Sequence, residues 1–173
     1  MKTSLLEEDL GEVIPIFIPM NKLIDTLIKT RQKLIAGIDD LNAEQLNHIP
    51  QGFKNNIIWN LAHLVSAQQG LCYLRANAPM RVTAQMREEY APGTKPERFI
   101  GDEEITEIKE LLISTLHQLQ ADLDSNYFAG YTSWVNRHDI ELNNVNDVLC
   151  YLPFHEGLHA DRIAVYKKLI TEI

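Results

Sequence analysis

Apolar residues recur at helical spacing in four segments of the chain, and nowhere does a period-two alternation last long enough to build a sheet. This pattern predicts an all-α fold, a four-helix bundle with long crossover connections. The first helix carries Met20, Leu23, Ile24, Leu27, Leu34, Ile35 and Ile38 and starts near Pro19, since a first turn tolerates proline. Pro15 and Pro19 keep the segment before it extended. The second starts after Asn55 or Asn56, either a suitable N-cap, and runs through Ile58, Leu61, Ala62, Val65 and Cys72 to about Asn77. The connection between these two, around Pro50 and Gly52, suits antiparallel neighbours.

Between residues 78 and 101 the helical period is lost and Pro79, Pro92, Gly93 and Pro96 accumulate, which predicts a loop long enough to cross the bundle. The third helix opens at Asp102, with acidic residues in its first turn, and turns Ile105, Ile108, Leu112, Leu116 and Leu119 inward. A brief alternation from Trp134 to Leu142 could form a small hairpin but is too short to assign one. The fourth helix starts near Asn146 or Asp147 and reaches about Ile170, with Val148, Leu152, Ile163, Tyr166 and Ile170 on one stripe.

Length and charge narrow the possibilities further. The 173 residues fit a single domain, 1–173, with a core large enough to need no staples. Sixteen Lys and Arg against 24 Asp and Glu give a net charge of −8, which repels phosphate backbones and anionic lipid and so disfavours nucleic-acid and membrane partners. No apolar run approaches the about 20 residues that span a bilayer. Residues 1–11 are acidic and do not read as a secretory leader, and two cysteines form no disulfide framework, so a cytoplasmic location is expected.

His155 and His159 lie four apart on the fourth helix, so one turn stacks their rings on a single face, and they fall inside its apolar stripe between Leu152 and Ile163. A polar ring facing a core needs a partner there. His63, one turn after Trp59 and beside Ala62, repeats the anomaly on the second helix. Three histidines on two helices could meet inside a bundle and share one metal ion. A His pair four apart with Glu directly after the first His, as in His155-Glu156-Gly157-Leu158-His159, is expected by chance only about 0.02 times per chain of this composition. Its literal match is to zinc metalloproteases, but only the carboxylates Asp161 and Glu172 and no His follow His159, and no substrate-binding sheet is offered, so the third ligand is expected from upstream.

The run Ile57-Ile58-Trp59-Asn60-Leu61-Ala62-His63-Leu64, followed about ninety residues later by His155-Glu156-Gly157-Leu158-His159-Ala160-Asp161-Arg162-Ile163, resembles the DinB-like superfamily of four-helix metal proteins. The resemblance implies that His63, His155 and His159 bind one divalent ion. Histidines suit zinc, nickel, iron and manganese alike, with zinc and nickel put first. Many relatives follow the last ligand with a small residue and Gly-Gln-Ile, whereas this chain has Ala160-Asp161-Arg162-Ile163, so no role of that pair carries over. The family name implies no DNA binding.

Three neutral imidazoles leave coordination positions open, as in a catalytic site. The resemblance implies enzymes of two kinds acting on small molecules: transferases that move a low-molecular-weight thiol onto an electrophile, and metal-dependent amide or ester hydrolases. Thiol transfer is the reading taken here, because no dedicated general base stands out. A non-catalytic metal- or ligand-binding stress protein is the rival from a different class, and exposed helical faces would allow a homodimer.

Glu156 is the candidate catalytic residue, as a base or as an acceptor behind a ligand, although on an ideal helix it points about 100° away from His155 and would then be a surface carboxylate. Trp134 and His138 are candidates for the mouth of the site, unless they pack onto the core. Cys72 and Cys150 read as small buried residues. Pro153 should kink the last helix, and Gly157 suggests a close helix approach.

Overall fold

The computed structural model describes residues 20–125 and 127–171. Four long helical segments form the bundle: α1 (Met20–Ala36), α3 (Ile57–Gln68), α5 (Asp102–Leu123) and α6 (Val145–Thr171). The segment expected to be extended around Pro15 and Pro19 lies outside the described residues. Beyond Gln68 the chain of α3 continues through a π-helical turn, Gln69–Tyr73, and a 3₁₀ turn, Leu74–Ala76, and stops where Asn77 takes the left-handed conformation (φ 52°). Two short helices, α2 (Ala43–Asn47) and α4 (Ala84–Glu89), lie in connections read as loops. Both are too short for a periodicity signal, yet each is capped: Asn42 and Gln45 form a reciprocal capping box, and Thr83 Oγ1 accepts from the Met86 amide. A two-residue hairpin, β1 (Trp134–Val135) with β2 (Glu141–Leu142), does form.

α1 and α3 each pack against both α5 and α6, so α1 and α3 face each other across one diagonal of the bundle and α5 and α6 across the other. The core is two apolar layers. One contains Ile38, Ile57, Leu61, Leu112, Ile163 and Tyr166, and the other Ile24, Leu27, Tyr73, Leu116, Val148 and Leu152. The order of the layers along each helix gives its direction: α1 and α6 run one way, α3 and α5 the other. The first two long helices are thus antiparallel but diagonal, not neighbours. Their connection holds Leu41 and Leu46 in the core and crosses one end of the bundle through α2. The connection 77–101 travels the bundle's full length, as its size suggested.

Between the two apolar layers lies a polar one. Arg31 of α1 is fully buried (0% exposed), as is Glu156 of α6 (1%). Arg31 Nη2 donates to Glu156 Oε1 at 2.7 Å and to the Leu64 carbonyl at 3.3 Å, and Nε is shared between both carboxylate oxygens. Nη1 donates to the Leu112 carbonyl at 2.8 Å and to Gln68 Oε1 at 3.2 Å. Gln68 is in turn tied to Thr115 of α5. One guanidinium thereby touches all four long helices and uses its whole donor set.

The twelve residues of α3 are all buried, so this helix is central. Its outer face is covered by the connection that carries α4 and Tyr90. No helix among the described residues is long and apolar enough to cross a membrane.

Leaving a carboxylate buried without its partner costs about 3–5 kcal/mol. Arg31→Met should therefore lower the free energy of unfolding by about that much in urea titrations, whereas the pair Arg31→Met with Glu156→Leu should recover most of the loss. Equal losses in the single and double variants would show that the layer is held by something other than this ion pair.

Candidate metal centre

The structure brings the three predicted histidines together. His63, from the middle of α3, and His155 and His159, one turn apart on α6, are 4%, 6% and 7% exposed. Ring centroids are 5.4 Å apart for His63 and His155, 4.7 Å for His63 and His159, and 4.8 Å for His155 and His159. One nitrogen from each ring falls within 4.8 Å of the others, which is the geometry of a group able to hold a metal ion. Trp59 stacks flat on His63, with centroids 4.8 Å apart and planes 8° from parallel, and Tyr151 tilts against His155.

Two of the rings are fixed from behind. His63 Nδ1 donates to the Tyr90 carbonyl at 2.7 Å. His159 Nδ1 donates to Asn60 Oδ1 at 2.8 Å, and Asn60 can only accept there because its amide nitrogen is spent on the Asn56 carbonyl at 2.6 Å. A neutral imidazole that donates through Nδ1 presents its lone pair at Nε2, so these bonds select the tautomer that binds a metal. His155 Nδ1 is buried with no hydrogen-bond partner, a polar atom that wants an ion, water or ligand. The residues present fit a divalent cation.

Neither Asn60 nor Tyr90 was picked out in the sequence. Asn60 did leave a signal: it is a polar residue in an otherwise apolar helix, three positions before His63, and such a residue needs a partner. Tyr90 contributes through its backbone, which no sequence pattern reveals.

Burial is the main reason that all three histidines are held below the ordinary imidazole range, His155 and His159 down to about 3. Neighbouring imidazoles add to the effect at His155 and His159, and the charge of Arg137 acts on all three. The rings are therefore neutral at pH 7, as ligands must be.

The other sequence candidates fall in different places. Glu156 is not a surface carboxylate: it points about a third of a turn from His155, but that direction leads into the polar layer, where it is paired with Arg31. It is not part of the three-histidine group. Trp134 lines the cleft beside the trio, with the Arg75 guanidinium 4.1 Å from its ring centre. His138 is not on that lining and packs against Tyr151 and Phe154. Cys72 is buried, with its thiol pushed up to about 12 by that burial, whereas Cys150 is exposed and not the core residue expected. Gly157 is exposed, and nothing lies within 4 Å of where its Cβ would be, so no helix approach explains it. α6 runs through Pro153 without interruption.

All three histidines line one open cleft of about 1960 Å³ between α3, α6, the segment 52–55 before α3 and the connections at 77–101 and 124–144. A bundle of this topology with three neutral histidines exposed to one cleft places the protein among helical-bundle proteins with a candidate metal centre. The chain belongs to the DinB superfamily, whose family model matches residues 26–163 and so takes in the trio, Asn60 and Tyr90. Nothing among curated proteins or solved structures matches it.

The lowered values of His155 and His159 set the pH dependence of the metal-free fold. Below the ordinary value near 6.5 the unfolded chain takes up protons that the folded chain refuses until about pH 3, so stability is full above 6.5 and is lost as pH falls through that interval. Between pH 7 and 5 each of the two should cost about 2 kcal/mol. His159→Gln should remove one share, read as a shallower pH dependence of urea unfolding in chelator-treated protein. Parallel profiles for parent and variant would contradict the assignment.

Proposed function

We propose that His63, His155 and His159 hold one divalent ion and that the protein is a metal-dependent enzyme transferring a low-molecular-weight thiol to an electrophilic small molecule. The observation that carries the metal is the pair of hydrogen bonds behind His63 and His159, which leave Nε2 of two rings, on the adjacent helices α3 and α6, free to bind an ion. Three neutral ligands leave the ion's charge undiminished and its coordination incomplete. When bound, such an ion supplies Lewis acidity that brings a thiol or water to its reactive anion near neutral pH.

Two features favour thiol transfer over hydrolysis. The cleft, at about 1960 Å³, exceeds the roughly 300–1,000 Å³ of a pocket for one drug-sized molecule and has room for a thiol and an acceptor together. The carboxylate best placed in sequence to serve as a base, Glu156, is bound to Arg31. Its role in this reading is to set the rotation of α6 and thereby the aim of His155 and His159. Trp59 and Tyr151 shield the two rings they cover from bulk water.

Untagged protein purified without a metal column should contain about one equivalent of zinc, nickel, iron or manganese per chain, and His159→Ala should lose it. Conjugation of low-molecular-weight thiols to a chromogenic aryl halide should be accelerated by the parent and not by the variant. Ester or amide cleavage in its place would move the assignment to a hydrolase, and one equivalent of metal with neither activity would leave a binding module. A parent that neither contains metal nor takes it up would overturn the proposal.

A further inference from the structure

The seven arginines divide into two groups. Arg31, Arg81 and Arg98 are each paired with carboxylates: Glu156, Asp122, and Glu89 with Glu104. Arg75, Arg87, Arg137 and Arg162 form no ion pair among the described residues, and all four line the cleft that holds the histidines. Lys54 and Lys95 line it too, against only Glu89, Glu97 and Asp161. Glu89 is already taken by Arg98, and Glu97 by Lys95. A chain with eight more acids than bases has concentrated unpaired cations in one place.

Three of these cations act on the trio. The charge of Arg137 is felt at all three histidines, that of Arg87 at His63 and that of Arg162 at His159. The Arg87 guanidinium lies against the bare backbone of Gly70 in the π-helical turn, where a Cβ would come within 2.6 Å of it. Its Nε is buried without a partner. On the hairpin side, Asn136 is 6% exposed and lines the cleft, and its amide nitrogen also has no partner, while its oxygen accepts from the His138 and Ile140 amides. The unpartnered groups of Arg87 and Asn136 are donors, whereas Asn55 Oδ1 is an unpartnered acceptor elsewhere on the lining, and Arg87, half-buried without a counter-charge, is costly until an anion meets it.

Neutral imidazoles cannot balance a dication, and the arginines add to the excess. We infer that the cleft takes its substrate as a polyanion, a small molecule with at least two carboxylate or phosphate groups, gripped by Arg87, Arg137 and Asn136 beside the histidines. This rests on reading the cleft as the substrate site of a metal enzyme. Arginine forks match either acid with paired hydrogen bonds, and a cleft of one sign on an acidic protein steers small anions to the ion and leaves neutral analogues behind.

The test is calorimetric titration of the as-purified full-length protein with tricarballylate, with inorganic phosphate, and with the uncharged triamide of tricarballylate as control. Metal content and unfolding midpoint are measured alongside. At least one of the two anions should bind and the triamide should not. Arg87→Gln and Arg137→Gln should each weaken that binding about tenfold, the worth of one charge-assisted hydrogen bond, without changing metal content. Arg137 is exposed and, among the described residues, hydrogen-bonds only to His138, so its variant keeps the fold even if Arg87→Gln does not. Phosphate binding more tightly than tricarballylate would make the substrate a phosphate ester. No binding of either anion at about 10 mM, or equal binding by parent and the exposed-arginine variant, would overturn the inference and leave the metal proposal standing. Arginine-dependent binding by a parent that holds no metal would overturn the metal proposal and leave this one.

Discussion

The fold depends on one buried guanidinium. Arg31 sits where four helices converge, and its bonds to Glu156, Leu64, Leu112 and Gln68 fix the axial register of each helix against the others. Apolar layers alone would not do this, because leucine and isoleucine side chains pack acceptably after a shift of one turn, whereas a buried ion pair has a single satisfied position. The layer adds little net stability, since desolvation offsets most of the attraction. Its fully satisfied geometry argues for a contribution to specificity. Because Glu156 neighbours His155 in sequence, seating Glu156 on Arg31 also turns His155 and His159 toward α3.

A second constraint meets the first at the histidines. His159 is held by Asn60 of α3, and His63 by the Tyr90 carbonyl on the connection that wraps α3. The long crossover from 77 to 101 therefore does more than return the chain to the other end of the bundle. It buries the outer face of α3, orients one imidazole and delivers Arg87 to the rim of the cleft. Loops held by a rigid scaffold commonly carry function, and here the scaffold is the Arg31 layer.

Much of this was legible in the sequence, and the failures share a cause. The four helices followed from period, and the trio from spacing and from polar rings inside apolar stripes. Periodicity also had Arg31 within reach, because it falls on the stripe Ile24, Leu27, Leu34, Ile35 and Ile38, four residues after Leu27 and four before Ile35. A charge on a core stripe signals a buried partner, and Glu156 is that partner. On an ideal helix Glu156 lies about 100° from His155. What occupies that direction is a tertiary fact, since α6 packs on α1 as well as α3. The same limit explains Cys150, whose residue type suggests burial but whose position faces solvent, and the diagonal placement of α1 and α3, which no local pattern encodes. α2 and α4 were missed because five and six residues are too few for a period, although their caps were present.

Where a protein breaks the rules of stable folding is informative about where it acts. On the cleft lining beyond His63 come Ala67 of α3 and Gly70 of the π-helical turn, the latter bare where the Arg87 guanidinium packs, and a glycine inside a helix costs about 1 kcal/mol relative to alanine. The helix passes into a π turn at that point, a geometry that concentrates at functional sites. Desolvated histidines, unpaired arginines and the unpartnered nitrogens of Asn136 and His155 lie on the same cleft. At the Arg31 layer the charges are paired and the donors satisfied. The opposite wall of α3, facing α5, is ordinary core built on Leu61, Leu64 and Leu112. Costs that could be removed by ordinary substitutions have gathered on one surface, which supports placing the proposed function there.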